Sequence, residues 1–291
     1  MLIYLNMTIS IKEATLKIWQ ALFILIFGYV FTSLLPDHAI DPWGIFNPHK
    51  YSFLVVTLAT LEFAGFAAAK LFGVKRGVYL VGFLGGLVSS TAMLLTSAKQ
   101  AKQLPSSWRT QLSIALMANL AALFELLFIV GFIAPDILKH ISIIVCCAIL
   151  VGLVELYIIS KRNLISNADL HLKEPIDFKG VLRLSLLLGG ILISISIAKK
   201  WFGDSASFAI SFLTGLFELH GVTLANATMY QENIISEKSA ILSIALAAQS
   251  SFIAKISLAW IWERGPFARG LTFTLLPIMF VVGVATWLSL H

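Results

Sequence analysis

The sequence predicts an all-α polytopic membrane protein: a helical bundle of two internal repeats, about 51–160 and 181–290, behind an N-terminal helix. Three observations predict it. Of the 291 residues, 58% are hydrophobic and 12% charged, with a mean hydropathy of +0.90. An ordinary soluble domain carries roughly 25% charged residues. Nine apolar segments approach or exceed the ~20 residues that span a bilayer as a helix. Finally, short motifs recur about 130 residues apart, in one order. Lys70-Leu71-Phe72-Gly73 returns as Lys200-Trp201-Phe202-Gly203, and Phe83-Leu84-Gly85-Gly86-Leu87 as Phe212-Leu213-Thr214-Gly215-Leu216. Leu112-Ser113-Ile114-Ala115-Leu116 returns as Leu242-Ser243-Ile244-Ala245-Leu246. Internal repeats are the usual construction of secondary transporters, whose sites lie where the repeats meet.

The first segment, 16–35, follows Lys12 and Lys17 and ends at the turn Leu34-Leu35-Pro36-Asp37. No small-residue cleavage site follows it, so it reads as a first span and not as a removable signal. Residues 1–50 make this span and its loop. The first repeat, 51–160, contains segments 51–72, 77–98, 110–133 and 139–160. A polar linker, 161–180, leads to the second repeat, 181–290, with segments 181–198, 205–228, 239–262 and 270–290. The whole chain, 1–291, forms a single integral membrane domain.

Lys and Arg bear on the topology. If all nine segments cross, the basic residues outside the spans divide ten against ten, and the positive-inside rule gives no orientation. If 77–98 and 205–228 are re-entrant or broken and leave on the side they entered, the division becomes fifteen against five. The N-terminus, the 161–183 loop and the 264–269 loop then share the basic, cytoplasmic face. Each repeat contributes three crossings in that arrangement, which inverts the second relative to the first. Parallel repeats of nine plain spans are the other topology.

The chemistry concentrates in the repeated motifs. Gly82, Gly86 and Ser90 recur every four residues and share a helix face that lets another backbone approach. Ser89, Ser90 and Thr91 offer oxygens to a cation or polar solute, and the adjacent glycines permit the unwinding that would expose carbonyls. The second copy carries Glu218 and His220, with Thr223, Asn226 and Tyr230 along one drifting stripe. An acidic residue at a helix centre costs at least ~2.5 kcal/mol in a bilayer, so such groups face a cavity or a partner. Residues two apart point away from each other on a helix, so Glu218 and His220 converge only if the helix breaks, with Gly221 the expected point. Ser89, Ser90, Thr91, Glu218, His220, Thr223 and Asn226 are therefore the candidate ligand-binding residues.

Glu125 and Lys255 occupy equivalent positions of the two repeats, as do Asn119 and Gln249. The opposite charges suit an internal ion pair or gate; snorkelling to separate interfaces is the plainer reading. Glu62 and Glu155 also lie in apolar runs, without an assignable partner. Cys146 and Cys147 are adjacent within a span and have no metal-ligand spacing to a His, so they read as core residues. No nucleophile–base constellation, Walker motif or dinucleotide fingerprint is present, and no enzyme activity or cofactor is expected. The net charge of +6 suits lipid headgroups, and no nucleic-acid module accompanies it. The expected partners are the bilayer, an ion or small polar solute, and a second copy or another membrane protein.

The stretches Leu35-Pro36-Asp37, Asp41-Pro42-Trp43-Gly44 and Asn47-Pro48, the block Gly82-Phe83-Leu84-Gly85-Gly86-Leu87-Val88-Ser89-Ser90-Thr91-Ala92, and Gly215-Leu216-Phe217-Glu218 resemble one family. It is the domain-of-unknown-function family number four-zero-one-zero, which in many bacterial proteins follows an MgtC/SapB membrane domain. The resemblance covers most of 35–230. It implies a bacterial inner-membrane protein with a loose connection to ion homeostasis, and carries no activity. Two departures stand out. A single span precedes the match, in place of the MgtC/SapB portion. Where the family tends to read Gly-Leu-x-Asp-x-Asp-Ala, this chain has Glu218 and His220, so a carboxylate-pair cation site is not carried over. The expected function is a membrane transporter or channel with its site between the repeats. The alternative is a non-transporting membrane module that regulates another membrane protein.

Overall fold

The computed structural model describes residues 2–38, 40, 47–72, 77–161, 186, 190, 194 and 205–290. The polar linker, most of segment 181–198 and the motif Lys200-Trp201-Phe202-Gly203 lie outside the described residues. Nine α-helices are described: α1 (Leu2–Leu34), α2 (Pro48–Phe72), α3 (Gly77–Gln103), α4 (Trp108–Ile133), α5 (Leu138–Ser160), α6 (Ser205–Gly215), α7 (Leu219–Gln231), α8 (Glu237–Trp262) and α9 (Pro266–Leu290). No strand occurs among the described residues. Five helical stretches are long and apolar enough to cross a membrane: Gly77–Gln103, Pro105–Ile133, Pro135–Ser160, Glu237–Trp262 and Pro266–Leu290. The protein is thus a multi-pass helical membrane protein.

The helices run past the apolar segments at several ends. α3 continues to Gln103 and α9 starts at Pro266, because helical backbone persists into the polar interface after the apolar stretch stops. Proline starts several elements. Pro105 and Pro135 each open a one-turn 3₁₀ helix that leads into α4 and α5, and Pro266 opens α9. Proline is tolerated there because the first turn has no use for its missing N–H.

Two of these elements do not run straight through. Ser89, inside α3, has φ −169° and ψ 103°, an extended backbone. A Cβ built on Gly85 would sit 2.9 Å from the Met93 Cγ, whereas a straight helix separates residues eight apart by about 12 Å along its axis. Val78 and Val81 from before the break also share one core cluster with Met93 from beyond it. α3 is therefore a hairpin with arms 77–88 and 90–103. The second break falls at 216–218, where Glu218 has φ −150° and ψ 105°. There Asn226 Nδ2 donates to Ser211 Oγ at 2.9 Å, a contact that a continuous helix would stretch to about 22 Å. So α6 and α7 also fold back on each other. Ser89 and Glu218 are 129 residues apart.

Glycine sets the packing of both hairpins. A Cβ on Gly82 would lie 2.6 Å from the Ile114 carbonyl oxygen, and one on Gly86 would collide with Ala118. One on Gly215 would lie 2.7 Å from the Ala247 Cα. Each first arm thus meets its partner helix, α4 or α8, backbone to backbone, the close approach that small residues allow in a bilayer. Ser243 Oγ donates to Ser207 Oγ at 3.2 Å, giving α6 the same direction as α8.

The turn after α7 is a Schellman cap. Asn233 has φ 55°; its N–H reaches the Tyr230 carbonyl, and Ile234 N–H reaches the Met229 carbonyl at 2.8 Å. Ser236 Oγ then accepts from Ser239 N–H and starts α8.

Contacts at the two ends fix the relative direction of the halves. Near the start of α8, Glu237 lies 3.3 Å from His140 at the start of α5, and Gln231 bonds Asp136 just before it. At the far end of α8, the Trp262 ring receives Lys99, from the base of the first hairpin, at 4.4 Å. Hence α4 and α8 run antiparallel, and the two hairpins enter from opposite ends of the bundle. Lys50 ties the start of α2 to Glu232 at 2.7 Å, at the base of the second hairpin.

The outer faces are apolar. Phe124, Phe128 and Phe132 on α4 and Phe273, Phe280 and Trp287 on α9 are exposed. Phe23, Phe27 and Phe31 on α1 stack with successive centroids 6.3 Å apart. Such surface is stable in hydrocarbon and a liability in water.

Candidate functional site

The hairpin tips meet. One cavity of ≈ 90 Å³ is lined by residues 87–91 from the first tip, 216–220 from the second, and one side each of α4 and α8. Polar groups converge on it from four elements: Ser89, Ser90 and Thr91 of α3, Glu125 of α4, Glu218 with His220 at the start of α7, and Ser251 with Lys255 of α8.

Each tip caps its own returning arm. Ser89 Oγ accepts from Ala92 N–H at 3.2 Å, and Glu218 Oε1 accepts from His220 N–H at 3.1 Å. Free amides at a helix start need such acceptors. Serine and glutamate thus do the same backbone work at sites 129 residues apart. The other carboxylate oxygen of Glu218 adds charge to the cavity that Ser89 does not.

His220 Nε2 lies 3.3 Å from Glu125 Oε2, across the α7–α4 contact. The imidazole is also within hydrogen-bonding reach of the Ala122 carbonyl, one turn earlier on α4. Lys255 is 2% exposed. Its ammonium lies 5.8 Å from the Phe252 ring centroid and in the field of both carboxylates, Glu218 acting on it more strongly than Glu125. Buried charges in a bilayer are costly unless they face one another or a wet cavity; here four ionisable groups do both.

Of the candidate residues, Ser89, Ser90, Thr91, Glu218 and His220 come together, and Glu125 and Lys255 join them on the same cavity. Thr223 and Asn226 lie away from it. Thr223 is fully buried and donates to the Leu219 carbonyl at 2.9 Å; Asn226 bonds Ser211 and the Val222 carbonyl. These two hold the second hairpin together. Gly221, the expected breaking point, is buried inside α7, and the break lies three to five residues earlier. Sequence reasoning missed Ser251. Its signal was a Ser250-Ser251 pair one turn before Lys255, on the same helix as a buried charge.

Asn119 and Gln249 do different jobs despite equivalent positions. Asn119 donates to its own helix at the Ala115 carbonyl, and Gln249 bridges to the Met279 carbonyl of α9 at 2.7 Å. Among the described residues no group of three or more His, Cys, Asp or Glu side chains could hold a metal ion.

These features define a class: a polytopic helical membrane protein with two broken hairpins that close on a charged intramembrane cavity. The particular family follows from the sequence. A family model described as Domain of unknown function (DUF4010) matches residues 56–262, and the chain belongs to that family. It is also similar to an uncharacterized protein of Aquifex aeolicus (strain VF5), 21% identical over 186 residues that cover 63% of this chain and 81% of that protein. No solved structure matches.

Proposed function

We propose that this protein is a membrane transporter or channel for an ion or small polar solute, built from two inverted repeats, with the site between the hairpin tips. The observation that carries the reading is the single cavity on which both tips and four ionisable residues converge. A module that only held another membrane protein would need an outward contact face; it would gain nothing from Glu125, Glu218, His220 and Lys255 buried together. Hairpins that enter from opposite ends and meet in the interior are a recurrent transporter plan, in which broken helices supply backbone groups to a midplane site.

Inverted repeats are supported by the common offset of the motifs and of the two breaks, and by the antiparallel run of α4 and α8. The same arrangement collects fifteen Lys and Arg on one face against five on the other, and the basic face is assigned to the cytoplasm. In this reading the protein binds and moves its solute without changing it, in a bacterial inner membrane.

Flux into proteoliposomes of the purified chain tests the proposal, with a panel of alkali cations, divalent cations, anions and small metabolites. Uptake of one class, lost in Thr91→Val and Glu125→Gln, is the expected outcome. Vesicles that move none of the panel would return the non-transporting module.

A further inference from the structure

Resting on the transporter reading, and naming the solute class of the same cavity, we propose an alkali-metal cation site. One cation is held by Ser89, Ser90, Thr91 and Glu125, and the Lys255 ammonium is a tethered stand-in for a second cation beside Glu218.

Charge balance supplies the first reason. Two carboxylates and one ammonium line the cavity; with His220 as neutral imidazole, one negative charge is in excess. A bilayer interior penalises that excess, and a single monovalent cation removes it. A divalent ion would overshoot by one charge and face the repulsion of Lys255.

Donor chemistry supplies the second. The first tip offers three hydroxyls and Glu125 a carboxylate. The arm 77–88 ends there, and the last carbonyls of a helix have no following turn to accept from. Oxygen-only sets suit hard cations. The space, ≈ 90 Å³, fits a cation with about two waters, at roughly 30 Å³ of liquid volume per water. It does not fit a sugar or a nucleotide.

The asymmetry of the halves supplies the third. Glu125 and Lys255 are 130 residues apart, at matching depths of α4 and α8, so an ammonium stands in the second half where the first has a carboxylate. Lys255 is 2% exposed, lines the cavity, and has no hydrogen-bond acceptor among the described residues. Glu218 is the nearer carboxylate in its field. The second tip thus carries its own cation, and the first tip is the one left to be filled. The groups facing the site are Glu125 and His220 across α4 and α7, Glu218 at the second tip, and Lys255 with Ser251 on α8.

The test is calorimetric titration of the full chain in nanodiscs with NaCl, KCl or MgCl2, against choline chloride at constant ionic strength and against choline formate. One equivalent of sodium or potassium per chain is expected, with magnesium at least tenfold weaker. Glu125→Gln and Thr91→Val should each weaken alkali binding at least tenfold. Lys255→Met should add a second alkali equivalent or raise magnesium affinity to the alkali level. If that variant does not fold, Glu218→Gln decides. Lys255 is then left with Glu125 as its carboxylate, and alkali affinity should fall at least tenfold. Wild-type protein that ignores NaCl and KCl, or responds to choline formate instead, overturns the site. Unchanged stoichiometry and selectivity in Lys255→Met, or unchanged affinity in Glu218→Gln, overturns the tethered cation. Radiosodium uptake in proteoliposomes is read separately. Binding without uptake keeps the site and removes the transporter reading, and uptake of another solute without alkali binding does the reverse.

Discussion

His220 and Glu125 show how little a residue's own neighbourhood says about its partner. Glu218 is two positions from His220 and bonds its backbone, yet the side chain beside the imidazole belongs to α4, 95 positions earlier. A double-mutant cycle of Glu125→Gln and His220→Gln should give a coupling energy of about 0.5–3 kcal/mol, the range for residues in contact. Thermal unfolding in detergent measures it, and additive losses would mean that the pair contributes nothing. Asn226 supports a second prediction. Its amide joins the two arms of the hairpin with no water nearby to replace it, so Asn226→Leu should cost about 1–3 kcal/mol by leaving buried groups unmade. Solute binding, if the fold survives, should persist, because Asn226 does not line the cavity.

Among the elements, the two hairpins depend on glycine where they touch α4 and α8. Gly86→Leu and Gly215→Leu force side chains into the backbone at Ala118 and Ala247, and overpacking of this kind typically costs about 1–3 kcal/mol. A fall in melting temperature for both, and little change for Gly131→Leu, is the expected pattern, since Gly131 meets only the flexible tip of Leu138 at 3.4 Å. The reversal at 216–218 can be tested directly. With Cys146 and Cys147 replaced by alanine, Ser211→Cys and Asn226→Cys in one chain should cross-link readily under mild oxidation. A continuous helix would hold the two ~22 Å apart, and failure to cross-link would count against the hairpin. The breaks were half legible. Glycines and hydroxyls beside buried charges marked both segments as unlikely to stay regular, but the turning points, Ser89 and 216–218, follow from how each first arm meets its neighbour.

At the scale of the whole molecule, both ends of one hairpin should lie on one side of the membrane and both ends of the other on the opposite side. Single cysteines at Gly77 and Gln103 should react with an impermeant thiol reagent from one face, and those at Ser205 and Gln231 from the other. Labelling of Gly77 and Gln103 from opposite faces would restore nine plain crossings. The contact of Glu237 with His140 and that of Trp262 with Lys99 make the first result the expected one.

The sequence by itself determined that this chain lives in a bilayer as helices, because composition and segment length answer to the solvent alone. It also marked the two segments where chemistry would gather, because a buried carboxylate, imidazole or hydroxyl cluster is costly wherever it sits. The shared offset of Glu125 and Lys255 placed them at related depths, and both do face the same cavity. Only the tertiary structure decided that α3 and the α6–α7 pair turn back, that Thr223 and Asn226 serve packing while Ser251 joins the site, and that His220 stands against Glu125. Those outcomes depend on which backbones come close enough to touch. Close approach is a property of pairs of helices, and a one-dimensional pattern of apolar and polar residues does not carry it.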